Sequence, residues 1–511
     1  MKLKHVLVSL LLTSIFTLIS CSKSSKSTIA SDALLKLIPP DAIAFLFSDY
    51  SLPASKKLRS TPAMKNSAAQ IEEQVAKLKE IDPKLAEAMQ SVMKAIPGNI
   101  TSADSSIEKM LAYYRVAPKG SESPADVAVR VSFSNETDPT QLITNIKKGV
   151  LGGITATEIE GGLKIEATQN PASPIVFYLC NTPNIIVASI NKSSCTSLLA
   201  PPPSEGTIPS LIVGMPKDSI TDTTTLIGGI SITDLLSHPL ESEIPVEIPK
   251  ETPLKAAYFS SGFNGALTSS LDVFLTEGNP RVESVVNQFK EFSGKKIEHR
   301  TPDSAPFSFS LHLPSGLSAD LNALLSLAAP TLSTASLTSL ACGLFENDEG
   351  SIPGIGCAFE SKDGEVLAAA LKAQAAEMIR SQTGMSATWE ESDADGIKSA
   401  TYMTPLGFGI SLGSKGGTTL IGTNAHANSE MKHGKTKTHP LSASAPLIGH
   451  LNGNALYELI KGALESAKLF GVDTSQYDES FKGLMSYSDI YYSGEVTGNR
   501  INFRAVAHFK E

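Results

Sequence analysis

Four segments of this 511-residue chain recur in the same order, offset by between about 221 and 233 residues. Ordered recurrence over that distance constrains the fold more tightly than any single motif, because each copy must then build the same unit. Residues 154–164 resemble 385–398, with Ala156-Thr157 matching Ala387-Thr388 and Leu163-Lys164 matching Ile397-Lys398. Residues 226–236 resemble 447–457, and 258–271 resemble 491–501. Residues 127–146 match 355–371 in pattern: an alternating stretch, a polar break at Ser134-Asn135-Glu136 or Ser361-Lys362-Asp363, then an amphipathic stretch.

Within each copy the hydrophobic periodicity predicts strands and helices in turn. The opening strand lies at 43–47 or 307–311, and Phe307-Ser-Phe-Ser-Leu311 alternates with period two, as a half-buried strand does. A helical region follows at 71–93, where Ile71, Val75, Leu78 and Leu85 recur at roughly helical spacing; its shorter counterpart is 317–327. Next come a hairpin (110–116 with 127–131; 340–345 with 355–359) and a helix at 138–148 or 364–380. A four-stranded meander is predicted at 154–159, 163–167, 174–180 and 184–190, and again at 385–390, 397–402, 407–412 and 418–423. Turn residues such as Gly161-Gly162 and Gly416-Gly417 separate these strands.

Antiparallel strands with helices on one side form one of the few stable layer arrangements. The expected fold class is therefore α+β, as two tandem repeats of mainly antiparallel sheet with helices packed on one face. The repeats are expected at 37–294 and 305–511, with a polar linker near 294–304 and an extended Pro/Thr-rich insertion at about 201–253 in the first. Each half is long enough to bury most of its apolar surface.

The first residues carry a different message. Met1-Lys-Leu-Lys-His5 is basic, an apolar run follows to Phe16, and Leu18-Ile19-Ser20-Cys21 closes the stretch. A basic start with a short apolar stretch suits a secretory signal and is too short to remain as a membrane span. The ending resembles the lipobox of bacterial lipoproteins. That resemblance implies a signal peptide over 1–20, removal of it, and acylation of Cys21, so that two or three acyl chains hold the protein firmly in a membrane. Residues 21–36 would then be the lipidated cysteine and a flexible tether, since 22–28 are Ser, Lys and Thr alone. Ser22, where enteric-type sorting uses Asp to retain a protein at the inner membrane, favours the outer membrane.

Charge narrows the partners. There are 43 Lys plus Arg against 52 Asp plus Glu, a net charge of −9, and loss of Lys2 and Lys4 with the signal takes this to about −11. Phosphate binding needs a concentrated basic surface, so nucleic acid is not an expected partner. The 41% hydrophobic content suffices for real cores.

Beyond Cys21, the cysteines are Cys180, Cys195, Cys342 and Cys357. An even number in an exported protein permits disulfides. If 340–345 and 355–359 pair about a turn near Gly350, Cys342 faces Cys357 and can bond to it from a non-hydrogen-bonded position. Cys180 and Cys195 need the chain to fold back, and the sequence leaves their state open. No cysteine pair has zinc-site spacing.

Few motifs suggest catalysis. Gly409-Ile-Ser411-Leu-Gly413 fits the nucleophile-elbow string, with histidines following at 426, 433, 439 and 450. The elbow requires a strand, a sharp turn and a helix, whereas this string sits in an alternating strand. Asp393-Ala-Asp395-Gly396 has the start of a calcium loop without its later ligands, and reads as a hairpin turn. His433-Gly-Lys-Thr-Lys-Thr-His439 reads as a solvated connector. No phosphate-binding loop is present, and no catalytic residue, metal or cofactor is expected.

With its opening Leu37-Ile-Pro-Pro-Asp-Ala-Ile-Ala-Phe45, the chain also resembles a loose group of uncharacterised, duplicated bacterial envelope proteins. The expectation is a non-enzymatic, lipid-anchored envelope protein that binds or scaffolds. Its partners would be the membrane, through the anchor, and an envelope protein or an apolar ligand. A periplasmic carrier of an apolar ligand or lipid is the alternative, and an envelope hydrolase using Ser411 ranks last.

Overall fold

The computed structural model describes residues 29–61, 106–117, 121, 123, 125–134, 154–167, 175–204, 208–237, 253–316, 337–346, 353–362, 364–384, 386–394, 396–403, 409–423, 425–441, 444–469 and 481–510. Cys21, the signal at 1–20 and the helical regions expected at 71–93, 138–148 and 317–327 lie outside the described residues.

Among the described residues twenty strands pair antiparallel, ten in each of two compact units. This corrects the expected α+β class of two tandem repeats with helices packed on one face. The described helices cover particular groups of strands: helix Lys192–Leu199, for example, meets three of them. The physical reason for the difference is that periodicity reports which face of a segment is apolar. It does not report how many neighbours its two edges will pair with, and antiparallel sheets grow by edge addition through short connections.

The chain divides into two compact units, Met1–Leu275 and Thr276–Lys510. In the first, the strands are β1 (Ala44–Asp49), β2 (Ile107–Val116), β3 (Ala125–Phe133), β4 (Ile154–Ile159), β5 (Gly162–Ala167), β6 (Ile175–Thr182), β7 (Ile185–Ser189), β8 (Thr224–Ser231), β9 (Leu254–Phe263) and β10 (Leu267–Leu275). Their pairing order is β4-β5-β6-β7-β3-β2-β1-β8-β9-β10. Phe47 of β1 stands opposite Leu111 on one side and Ile227 on the other, and all three side chains are fully buried. Each such side chain contributes roughly 2–3 kcal/mol by leaving water. Within 201–253, expected as an extended insertion, β8 is buried from Thr224 to Gly229 between β1 and β9. At the start of the described chain Leu34, Leu35 and Ile38 enter the same core. Asp32 fixes this entry by accepting from the Leu34 N–H at 2.9 Å and from Lys109 Nζ at 2.5 Å.

The second unit contains β11 (Phe307–His312), β12 (Leu337–Phe345), β13 (Gly354–Ser361), β14 (Glu390–Ala394), β15 (Ile397–Met403), β16 (Gly409–Lys415), β17 (Thr418–Gly422), β18 (Leu447–Leu451), β19 (Tyr487–Thr497) and β20 (Arg500–Phe509). The pairing order is β14-β15-β16-β17-β13-β12-β11-β18-β19-β20. Helix Ala425–His433 lays Ala427 and Met431 against Ala341, Ala358 and Leu420, where small residues let the helix approach closely. Residues 301–303 run beside 435–437, joined by backbone hydrogen bonds.

Both cysteine pairs are disulfides. Cys342 of β12 and Cys357 of β13 are directly opposite, with Cα atoms 4.1 Å apart, the close spacing of a non-hydrogen-bonded pair. Cys180 of β6 bonds Cys195 in helix Lys192–Leu199, at a Cα separation of 5.8 Å, because the hairpin β6–β7 brings the helix back over its own first strand.

Candidate functional site

In the second unit a cleft of about 340 Å³ opens where 303–306 lead into β11. Among its lining residues Ala305, Phe345 and His450 are buried. Charged and polar side chains ring it: Asp303, Glu346, Glu430 and Lys437, with His426 and Asn452. Five separate segments supply these groups, the first being the stretch before β11 that carries Asp303. Glu430 and His426 come from one helix, Lys437 from the connector after it, His450 from β18, and Glu346 from the end of β12.

His450 is 1% exposed in the strand Leu447–Leu451, where a histidine interrupts an apolar run. Its Nε2 lies 2.7 Å from Asp489 Oδ1, and the same oxygen accepts from Lys437 Nζ at 3.0 Å. The two donors hold the Asp489 carboxyl below the usual carboxylate range against the opposing effect of burial. An ionised carboxylate only accepts, so Nε2 carries the proton and donates it. Burial, offset in part by Asp489, lowers the His450 pKa and keeps the ring neutral at neutral pH. In that tautomer Nδ1 is a bare acceptor, and it has no hydrogen-bond partner. Ser308 is directly across the ladder from His450, is fully buried, and its hydroxyl has no partner either.

The histidine motif is divided by the fold. His439, expected in a solvated connector, is half-buried: its Nε2 donates to the Gly449 carbonyl at 2.9 Å and its ring stands edge-on to Tyr491. His433 is exposed at the end of its helix, and His426 is exposed beside the cleft. Ser411 lies inside β16, paired with β15 and β17, and is fully buried. Thr401 Oγ1 donates to its hydroxyl at 3.0 Å, as does Asn428 Nδ2. The strand–turn–helix geometry of a nucleophile elbow is not what surrounds it. Gly396, at φ +71°, forms the left-handed turn position between β14 and β15, which accounts for the Asp-Gly string as a hairpin.

A second cleft, of about 460 Å³, lies in the first unit beside Asp41, Asp234, Lys255 and Tyr258. Asp41 is paired with Arg115 at 3.1 Å and Asp234 accepts from Ser231 at 2.5 Å. Both clefts are open; the first is mainly polar, and the second mixes ionisable groups with apolar side chains such as Ile43, Val116 and Leu211. Among the described residues no group of three or more His, Cys, Asp or Glu side chains is arranged to hold a metal, and no helix is long and apolar enough to cross a membrane.

No protein-family model and no curated protein matches the chain. A solved structure described as crystal form I of TP0453 is 12% identical, over 50% of this chain and 82% of that one, with a TM-score of 0.23.

Proposed function

We propose that this protein is a non-enzymatic binding or scaffolding protein of the bacterial envelope, tethered by an acylated Cys21 and placed at the outer membrane. The lipobox Leu18-Ile19-Ser20-Cys21 supports the tether. The observation that carries binding over apolar transport is the character of the clefts. Both are open and ringed by ionisable groups, whereas a lipid carrier encloses its cargo among apolar side chains. Ser411, the candidate nucleophile, is committed to Thr401 and Asn428, which supports a structural role for it.

Metabolic labelling with an alkynyl fatty acid tests the tether: label and envelope association are expected in the native chain and absent in Cys21→Ser. Native mass spectrometry of protein extracted from its host tests the rest. Protein carrying its covalent acyl chains but no non-covalent lipid, together with an envelope partner recovered after crosslinking, is the expected result. A stoichiometric lipid that survives purification would replace this reading with the carrier.

A further inference from the structure

We propose that residues 297–303 and 435–441 form a pH-sensitive clasp over the sheet of the second unit, docked while His299, His312 and His439 are neutral and opened when they take up protons. The clasp depends on neither the lipid tether nor a ligand. Its two segments are joined by backbone bonds from the Asp303 N–H to the Lys435 carbonyl, 2.7 Å, and from the Lys437 N–H to the Thr301 carbonyl, 2.9 Å. Histidines then fix both segments to the strands. On the first, His299 stands edge-on to His312 of β11 with ring centroids 5.0 Å apart. His312 Nε2 donates back to the Glu298 carbonyl at 2.9 Å. On the second, His439 Nε2 donates to the Gly449 carbonyl of β18, so Nδ1 is the acceptor, and it takes the Leu441 N–H at 3.3 Å.

These contacts require uncharged rings. A proton on His439 Nδ1 would set donor against donor at the Leu441 N–H. Protons on both His299 and His312 would place two cations with ring centroids 5.0 Å apart. Of the groups facing His299, the Ala445 carbonyl favours a proton, while His312 and His439 oppose one. Glu360 of β13 favours charge on His312, but Arg300 already holds that carboxylate at 2.6 Å. Tyr491 of β19 and His450 of β18 flank His439 without negative charge, and Asp489 is taken up by Lys437 and His450. Burial lowers all three rings, and with His312 it pushes His299 down to about 4. A ring freed to water titrates near 6.5 and at about pH 5 is protonated roughly thirty to one. Each ring that docking keeps neutral therefore favours the open clasp by up to about thirtyfold there, and by almost nothing above pH 7 or so. The ion pairs Arg300–Glu360 and Lys437–Asp489 do not run through these rings and remain as tethers, so acid opens the clasp locally. Asp303 and Lys437 both line the cleft, so opening loosens one of its walls.

The test is amide hydrogen exchange of the full mature protein in detergent at about pH 7.5 and about pH 5, with labelling times scaled for the intrinsic rate and mass spectrometry as readout. Peptides covering 297–303 and 435–441 are expected to lose protection at least about tenfold at the lower pH, while β12 and β13 keep theirs. His299→Phe keeps an aromatic ring against His312 and takes no proton, and its loss is expected to stay under about threefold. Exchange at the histidine C2 positions of the native chain reads the rings without a substitution. His299 and His439 are expected to titrate below about 6, over the range in which the segments open. Unchanged protection at the lower pH, or an equal loss in β12 and β13, would overturn the clasp. So would a His299→Phe variant that is docked at the higher pH and opens as readily as the native chain, or rings that titrate near 6.5 while the segments stay protected. Fatty-acid labelling and partner capture read neither segment, so the clasp can fail while the envelope-binding reading stands.

Discussion

Ser194 donates its hydroxyl proton to Asp126 at 2.7 Å, joining the first turn of helix Lys192–Leu199 to a β3 carboxylate that is fully buried. Arg115 Nε reaches the same carboxylate at 2.8 Å and Asn191 Nδ2 at 3.3 Å. At the other end of the helix Arg130, four residues along β3, donates to the carbonyls of Leu198 and Ala200. A negative group near the helix start and a positive one near its end both favour the helix dipole. One strand thus holds the helix at both ends, and the Cys180–Cys195 bond holds its middle.

Asp126→Ala leaves the Arg115 guanidinium, the Ser194 hydroxyl and the Asn191 amide short of their shared acceptor. Breaking a buried charge pair from one side costs about 3–5 kcal/mol. Asp126→Asn keeps the shape and one acceptor and should cost less, about 1–2 kcal/mol. Urea denaturation followed by circular dichroism measures both. Equal midpoints for the alanine variant and the native chain would remove Asp126 from its role.

Acid should weaken the second unit. Burial, helped by neighbouring His312, pushes His299 down to about 4, and burial also lowers His312, His439 and His450. In the unfolded chain these rings titrate near 6.5. Between about 6.5 and 4 the unfolded state therefore binds more protons, and stability falls as pH falls. Asp489, whose pKa is lowered, contributes stability that is lost only at still lower pH, below its ordinary 3.8. The Tm is expected to be level from pH 8 to about 6.5 and to drop steadily to pH 4.5. A level Tm across the whole range would contradict the buried neutral rings.

Much of the sheet was legible from alternation. The first meander, expected at 154–159, 163–167, 174–180 and 184–190, lies at Ile154–Ile159, Gly162–Ala167, Ile175–Thr182 and Ile185–Ser189. β14 was harder: it is Glu390–Ala394, an acidic strand with one pairing among those described and no apolar alternation to announce it. Charge of this kind discourages edge-to-edge association. The cleft was not legible. Asp303, Glu346, Glu430 and His450 are far apart in sequence; pairing of β11 with both β12 and β18, and packing of helix Ala425–His433 on β12 and β13, bring their segments together. The available signal was His450 itself, a titratable ring in the apolar string Leu447-Ile-Gly-His-Leu451.

Each disulfide closes a separation of 15 residues. Loop-closure entropy assigns about 3 kcal/mol to a link of that length. Cys342→Ala with Cys357→Ala, and the corresponding pair at 180 and 195, should each lower stability by about that amount. The two effects should add, because the bonds lie in different compact units. Denatured, unreduced protein is expected to show no reactive thiol from these four positions, and reduction should expose all of them to alkylation.

Ser411→Ala separates a structural hydroxyl from a catalytic one. The hydroxyl accepts from Thr401 and from Asn428, and Asn428 is itself 1% exposed and also donates to the Ser411 carbonyl. Removing the hydroxyl leaves the Thr401 donor without this acceptor, while Asn428 keeps the carbonyl. The expected loss is about 1–2 kcal/mol. Asn428→Ala removes both bonds from Asn428 to β16, leaving that of Lys432 to the Lys415 carbonyl, and vacates core volume, so its loss should be larger. Hydrolysis of p-nitrophenyl acetate should be the same for native protein and Ser411→Ala. An esterase rate that vanished in Ser411→Ala while the urea midpoint held would assign this serine to chemistry and not to the joint between helix and sheet.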